Sequence, residues 1–256
     1  MTRATVLILR APGTNCDVET AFAFQQAGAD VSSVHVNQLI RGEKRLSDYQ
    51  ILVIPGGFTY GDDIAAGKVL ANELRLKLKD AVPAFVNNGG LILGICNGLQ
   101  VLVRANILPE PSPDFHQQLT LTTNDSGKFE CRWVYLAADP DSPCIFTRGI
   151  DRMFLPVAHG EGKVVAPPEI LPQLKVTLRY TDETGSRHAG YPYNPNGSLD
   201  NIAGLGDSSG RIFALMPHPE RYIRGTQHPQ WTRLGARDYG DGFQIFRNAV
   251  DWARNL

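Results

Sequence analysis

Cysteine is scarce in this chain: Cys16, Cys96, Cys131 and Cys144 are scattered over 256 residues with no C-x-x-C pair. That spacing excludes the usual zinc and dithiol motifs, so no metal site is expected, and it points to a reducing compartment where single thiols stay free for chemistry. Charge of one sign is equally lacking. With 25 Lys+Arg against 26 Asp+Glu the formal net charge is -1, so no global positive field draws the chain to nucleic acid or to an anionic membrane. No apolar run approaches the roughly 18 residues of a membrane span, and Ala4–Leu9 is too short for a secretory core. A cytoplasmic protein is expected, with no nucleic-acid and no membrane partner. The tripeptide Asn196-Gly197-Ser198, formally a glycosylation sequon, then reads as a turn. Internal repeats and low-complexity segments are missing as well.

What is present is the composition of a globular protein, 43% apolar and 20% charged, long enough to bury a core without disulfides. Four short runs, Thr5–Leu9, Val31–Val36, Ile51–Ile54 and Leu91–Ile95, are rich in β-branched residues and mostly unalternated, as strands buried on both faces are. Helical patterns at Asp17–Ala27 and Asp63–Leu78 lie between them, the second with a charged face of Glu73, Arg75, Lys77 and Lys79. Such alternation predicts an α/β fold, an open and mostly parallel sheet with helices on both faces. Pro109-Glu110-Pro111-Ser112-Pro113 breaks the pattern, and Glu130–Ala137 and Val176–Tyr180 alternate, which predicts a small antiparallel extension in the second half. Arg211–Met216 returns as a buried strand. A last helix from Asp241 puts Phe243, Phe246, Val250 and Ala253 on one face. No linker divides the chain, so residues 1–256 read as a single domain.

The sharpest local signal is Gly94-Ile95-Cys96-Asn97-Gly98-Leu99-Gln100, where a buried strand runs through small residues into a new helix. Glycines flanking the cysteine allow a sharp turn that lifts the thiol clear of the sheet, at a helix N-terminus that favours thiolate. Taken alone, the pattern also fits a cysteine that merely fills space. A second signal, Met216-Pro217-His218-Pro219-Glu220-Arg221, follows a buried strand. Pro219 keeps His218 out of helical dihedrals, so residues 218 and 220 are expected to be extended with their side chains on one side, Glu220 holding the imidazole. A base oriented by a carboxylate and aimed at a nucleophile is the logic of a triad. The third signal, Pro55-Gly56-Gly57, ends another buried strand. Its N–H groups and that of Asn97 suit an oxyanion hole, although Pro-Gly-Gly by itself is no more than a strand-ending turn.

These residues resemble the class I (triad-type) glutamine amidotransferases, and within them the glutaminase subunits of purine biosynthesis. The likeness runs nearly end to end: Ala11–Asp17, Pro55–Asp63, Gly94–Gln100, Pro156–Gly162, Asn194–Ser198 with Ile202–Gly204, and Met216–Arg221. The resemblance implies a flavodoxin-like sheet and makes Cys96 the nucleophile, His218 the general base and acid, and Glu220 its orienting carboxylate. Gly57 and Asn97 would form the oxyanion hole, and Gly56, Gln100, His159 and Gly160 would help bind L-glutamine. His159 fits a structural or partner-facing role equally well. Ammonia would pass to a separate synthetase subunit that uses ATP and Mg²⁺ to amidate formylglycinamide ribonucleotide, and a small accessory subunit would complete the complex. No cofactor is expected in this chain, which lacks a G-x-x-x-x-G-K-[ST] phosphate loop.

Some features fall outside the resemblance. The stretch Tyr222–Gly240, with Arg224, His228, Trp231, Arg233 and Arg237, is longer than compact members need and reads as a solvated loop or a protein interface. Pro109–Gly127 is polar and unplaced. Cys16 reads as a packed small residue or one that binds or gates something, and Cys131 and Cys144 as structural. Rival functions are a free-standing γ-glutamyl cysteine hydrolase, a silent scaffold, and a glutaminase subunit of another synthetase.

Overall fold

Strands without alternation need cover on both faces, and the runs at Thr5–Leu9, Ile51–Ile54 and Leu91–Ile95 have it, whereas the run expected at Val31–Val36 forms an edge strand, Asp30–His35, with Ser32 and Ser33 exposed, and leaves Val36 to the following helix. In the computed structural model, which describes residues 3–110, 117–188, 190–235 and 237–255, the strands are β1 (Thr5–Arg10), β2 (Asp30–His35), β3 (Ile51–Ile54), β4 (Leu91–Ile95), β5 (Thr120–Thr122), β6 (Glu130–Ala138), β7 (Arg152–His159), β8 (Lys163–Val165), β9 (Lys175–Thr181), β10 (Ile202–Gly206) and β11 (Ile212–Leu215). The main sheet has nine strands in the order β2-β1-β3-β4-β11-β10-β9-β6-β7, and β5 pairs with β8 apart from it. The first five are mutually parallel. The last four continue the sheet antiparallel, so the expected extension is present and is a direct continuation.

The helices are α1 (Asp17–Gln26), α2 (Val36–Ile40), α3 (Lys68–Lys77), α4 (Ala81–Asn87), α5 (Asn97–Arg104), α6 (Trp231–Leu234) and α7 (Phe243–Ala253). The connection from β1 to β2 steps one way across the sheet and that from β3 to β4 steps the other way. Right-handed crossovers therefore put α1 on one face and α3 with α4 on the opposite one. Packing agrees: α1 lies against α7 and α3 against α5. Every residue of β3, β4 and β11 is buried, as is the predicted face of α7. No helix among the described residues is long and apolar enough to cross a membrane.

Several expectations need correction. The helix predicted from Asp63 starts at Lys68, because Tyr60, Asp62, Ile64 and Gly67 all have positive φ. The Asp62 carboxylate instead accepts the Gly67 N–H at 3.1 Å and closes the turn before the helix. Helix α4 is too short for a periodic signal, and β10 was hidden by Gly204 and Gly206, which weaken strand propensity. Cys144 is buried as expected, whereas Cys131 is exposed on β6. Residues 111–116 of the proline-rich break lie outside the described residues. Residues 222–240 are more than a solvated loop: Tyr222 and Ile223 are buried, and the His228 ring packs 5.3 to 5.8 Å from Phe154, Tyr222 and Trp133. Arg224 lies 4.9 Å over the Phe22 ring, so the segment is pinned to both the sheet and α1.

The edge-to-face pair of Phe24 and Phe246, 5.0 Å between centroids, fastens α1 to α7. Phe246→Ala is expected to lower the stability by about 3–5 kcal/mol, read as a drop in the urea midpoint, whereas Phe58→Ala, at a 48% exposed position, is expected to change it by less than about 1 kcal/mol.

Candidate active site

In a parallel sheet the carboxyl ends of neighbouring strands come together, and here three of them deliver the reactive groups. β3 ends at Pro55-Gly56-Gly57, β4 at Cys96, and β11 at Met216-Pro217-His218. Cys96 has φ 51° and ψ −102°, a conformation that side chains rarely adopt. A tight elbow imposes it. A Cβ on Gly98 would collide with the Ile54 carbonyl oxygen, so only glycine lets α5 start this close to β3. The Cys96 N–H donates to the Leu215 carbonyl at 2.7 Å, which fixes the elbow to β11. Its side chain is 7% exposed, with Sγ 3.7 Å from the Ala158 carbonyl.

His218 and Glu220 are both 2% exposed, and Nδ1 of the imidazole lies 2.6 Å from Oε1 of the carboxylate. The sequence predicted this pair but by a different route. His218 is indeed non-helical at φ −107° and ψ 89°, yet Pro219–Arg221 forms a 3-10 turn rather than an extended segment, and the turn swings Glu220 back beneath the ring. Nε2 makes no geometrically defined hydrogen bond among the described residues, which leaves it available to a bound molecule. Burial opposes charge on the imidazole, but Glu220, Cys96 and Cys16 outweigh it and raise the His218 pKa well above 6.5.

Around this core, Gly57 has φ +141°, and a Cβ there would lie 2.7 Å from the Asn15 nitrogen, so the β3 loop can meet the first loop only as glycine. Gly56 is similarly tight against the site: a Cβ on it would lie 2.9 Å from Cε1 of His218 and 3.1 Å from Sγ of Cys16. Asn97, as the first residue of α5, has an N–H without an intrahelical acceptor. Its buried side chain accepts from the Thr59 N–H at 3.2 Å and hydroxyl at 2.7 Å, and donates to Asp62 at 3.0 Å and to Gln100 at 2.8 Å. Gln100 in turn donates to the Glu161 carbonyl at 2.6 Å. The Gln100 amide is therefore engaged at both ends, linking Asn97 to the loop at Glu161.

The far-edge strand β7 returns to the same place. Its Pro156 carbonyl accepts the His218 N–H at 2.8 Å, so the antiparallel half wraps round until β7 flanks the β11 end. His159, 3% exposed, closes β7 with Nδ1 3.1 Å from Oδ1 of Asn124. Asn124 spends its amide hydrogens on the Lys128 and His159 carbonyls, so the histidine must donate in that bond. Burial, and then the positive field of His218, lower the His159 pKa to about 4. Gly160 lies in the same loop, its carbonyl accepting the Asn124 N–H at 2.9 Å. Asn196, fully buried, donates to the Gly162 carbonyl at 2.9 Å, which makes the apparent sequon a strut for this loop.

Cys16, which the sequence left between a packed small residue and one that binds or gates something, is brought to the site by the fold. It is 1% exposed and lies with its Sγ within 4.8 Å of ligand atoms of both His218 and Glu220. No local signal marks it, because its partners are two hundred residues away in a different loop. A separate cavity of about 540 Å³, lined by Leu39, Tyr49, Gln50, Phe85 and Gly90 among others, opens at the amino ends of β3 and β4 and holds none of these reactive groups.

A cysteine on a strand-to-helix elbow, a buried His–Glu pair beside it and a 2-1-3-4 parallel core define a class, the triad-type amidotransferases. The chain belongs to it: the CobB/CobQ-like glutamine amidotransferase domain family matches residues 3–253. Its kinship is more particular still. It is 56% identical, over the whole of both chains, to the phosphoribosylformylglycinamidine synthase subunit PurQ of Dehalococcoides mccartyi. With the subunit of that name from Archaeoglobus fulgidus it shares 43% identity, covering 98% of this chain and 97% of the other. Among solved structures it is similar to a chain of PurLQS from Thermotoga maritima, with a TM-score of 0.75 and 30% identity over 98% of this chain and 99% of that one. A Trypanosoma brucei glutaminase domain with bound acivicin, at TM-score 0.57 and 14% identity, shares the fold.

The two histidines respond to pH in opposite senses. The unfolded chain protonates His159 near 6.5, but the native protein does not until about 4, so stability falls as pH drops through that window. The contribution of His218, raised in the native state, is complete below 6.5 and lost as pH rises through its folded value. In His159→Gln the fall of the urea midpoint between pH 6.5 and pH 4 is expected to be shallower than in the wild type, with the midpoint measured at half-unit steps.

Proposed function

We propose that this chain is the glutaminase subunit of phosphoribosylformylglycinamidine synthase, hydrolysing L-glutamine at Cys96 and passing ammonia to a synthetase subunit. The observation that carries the reading is the Cys96 elbow beside the 2.6 Å His218–Glu220 pair, in a chain so similar over its full length to PurQ subunits. The Cys96 thiolate attacks the side-chain amide carbon. Gly57 and Asn97 N–H groups receive the resulting oxyanion. Nε2 of His218 protonates the departing nitrogen, ammonia leaves, and a γ-glutamyl thioester remains on Cys96. His218 then takes a proton from water, whose attack expels the sulfur, releases glutamate and restores the thiolate–imidazolium pair. Glu220 holds the imidazole in the tautomer and orientation that both steps require.

Gly56 and Gly160 supply backbone around the substrate, and His159 lines its pocket as a neutral ring. Gln100 serves the substrate indirectly, by holding the loop at Glu161 against Asn97. ATP and Mg²⁺ belong to the partner synthetase, which amidates formylglycinamide ribonucleotide, and this chain works without a cofactor of its own. A small accessory subunit completes the assembly, in the cytoplasm, with residues 1–256 acting as one domain.

Glutamate release from L-glutamine tests the reading with the chain alone and with the synthetase subunit carrying its nucleotide ligands. The wild type is expected to gain activity sharply with the partner, Cys96→Ala to have none, and Glu220→Gln to lose on the order of 10²- to 10⁴-fold in kcat. Turnover that persists in Cys96→Ala would sink the assignment.

A further inference from the structure

The acyl-transfer cycle leaves one reactive side chain at the site unused. Cys16 follows β1 and caps the start of α1, and its Sγ lies 3.2 Å from Nη2 of Arg221 and 3.2 Å from Oδ1 of Asn15. Thiol, imidazole and carboxylate, all within 4.8 Å of one another, resemble the donor set for a borderline-soft cation. A cation is already there, however. The guanidinium of Arg221 touches the sulfur, reaches within 4.0 Å of Glu220 and lies 3.9 Å from Glu19, so a second positive charge would meet repulsion where it needs attraction.

The packing points elsewhere. A Cβ on Gly56 would lie 2.9 Å from Cε1 of His218 and 3.1 Å from Sγ of Cys16, so ring and sulfur border the same small space over the glycine, with Sγ within 4.8 Å of an imidazole nitrogen. The bond from Nδ1 to Glu220 fixes one edge of the ring, but a ring held at one edge can still rock about it. Acyl transfer asks Nε2 to keep its aim while it gives up a proton and takes another. We propose that Cys16 is a positioning residue for His218, its sulfur wedging the ring and anchoring Arg221 beside Glu220 through the catalytic cycle.

Among the described residues, Glu220 from its own turn, Cys96 from the elbow, His159 from the end of β7 and Cys16 from the first loop act on His218, and Arg221 lies beside Glu220. Cys16 acts on the imidazole in the same direction as Glu220, favouring the charged ring. Removing the sulfur therefore frees the ring to rock and lowers the pH at which it loses its proton.

The kinetic part of this proposal rests on the glutaminase reading, so the test has two arms. The first is kcat and KM for L-glutamine in the complex with the synthetase subunit, for wild type, Cys16→Ala and Cys16→Ser. The second needs no glutamine: the pH dependence of Cys96 alkylation by iodoacetamide, followed by mass spectrometry of the Cys96 peptide, whose upper inflection reports His218 losing its proton. Cys16→Ala is expected to lower kcat by roughly tenfold to a hundredfold with little change in KM, and to move the upper inflection to lower pH. Cys16→Ser, nearly isosteric and still able to hydrogen-bond, is expected to recover most of kcat and to show a smaller shift, and it carries the test if the alanine variant misfolds. An inflection that moves in neither variant overturns the proposal, as does a loss confined to KM. A wild type without glutaminase activity whose inflection still moves in Cys16→Ala would sink the glutaminase reading and leave the positioning role standing.

Discussion

The hydrogen bond from the Cys96 N–H to the Leu215 carbonyl is the last rung of a parallel ladder, and the site depends on where that ladder stops. Up to Ile95 the backbone of β4 is committed on both sides, to β3 and to β11. One residue later the chain must leave the sheet, and it does so at a positive φ that the close approach of Gly98 to Ile54 makes possible. The strain at Cys96 persists because the surrounding ladder over-determines it. Because β3, β4 and β11 run the same way, the turn that frees the thiol also places it beside the two loops that carry Gly57 and His218.

Burying an imidazole and a carboxylate together is unfavourable unless each finds a partner, and here each is only partly satisfied. Oε1 of Glu220 takes Nδ1, while Oε2 of Glu220 and Nε2 of His218 make no hydrogen bond among the described residues. Such half-satisfied groups cost stability and are tolerated where they serve chemistry. His159 carries the opposite adjustment. It is near enough to feel the field of His218 and is held neutral by burial and that field together. The two neighbouring histidines thus have environments that drive their pKa values apart, one ring held neutral and the other favoured in its charged form.

Much of this was legible in the sequence because it is local. Four unalternated runs gave the parallel core, and Gly-x-Cys-x-Gly and His-Pro-Glu each hold their own geometry within a few residues. What was not legible depends on contacts across the chain. The start of α3 was misplaced because the turn at Asp62–Gly67 is closed by a carboxylate and by positive-φ residues, and the helical pattern cannot report either. Cys16 looked like packing because its partners, His218, Glu220 and Arg221, lie two hundred residues away. Glu220 was paired correctly with His218 through the wrong backbone, since a 3-10 turn and an extended segment both bring residues 218 and 220 together.

His159-Gly160-Glu161-Gly162 and Asn194–Ser198 are separate signals along the chain, but in space they are one polar network. The Gly162 carbonyl accepts from Asn196 and Ser198, Asn124 holds the Gly162 N–H and both the ring and the carbonyl of His159, and the Glu161 carbonyl accepts from Gln100 of α5. Almost all of these donors and acceptors are buried, so losing one leaves its partner unsatisfied and the penalty spreads through the others. The network fixes the β7 end, and the β7 end holds His218 through Pro156. The network is therefore part of the scaffold that wraps the antiparallel half around the candidate site, so a change far from Cys96 can reach His218 through backbone alone.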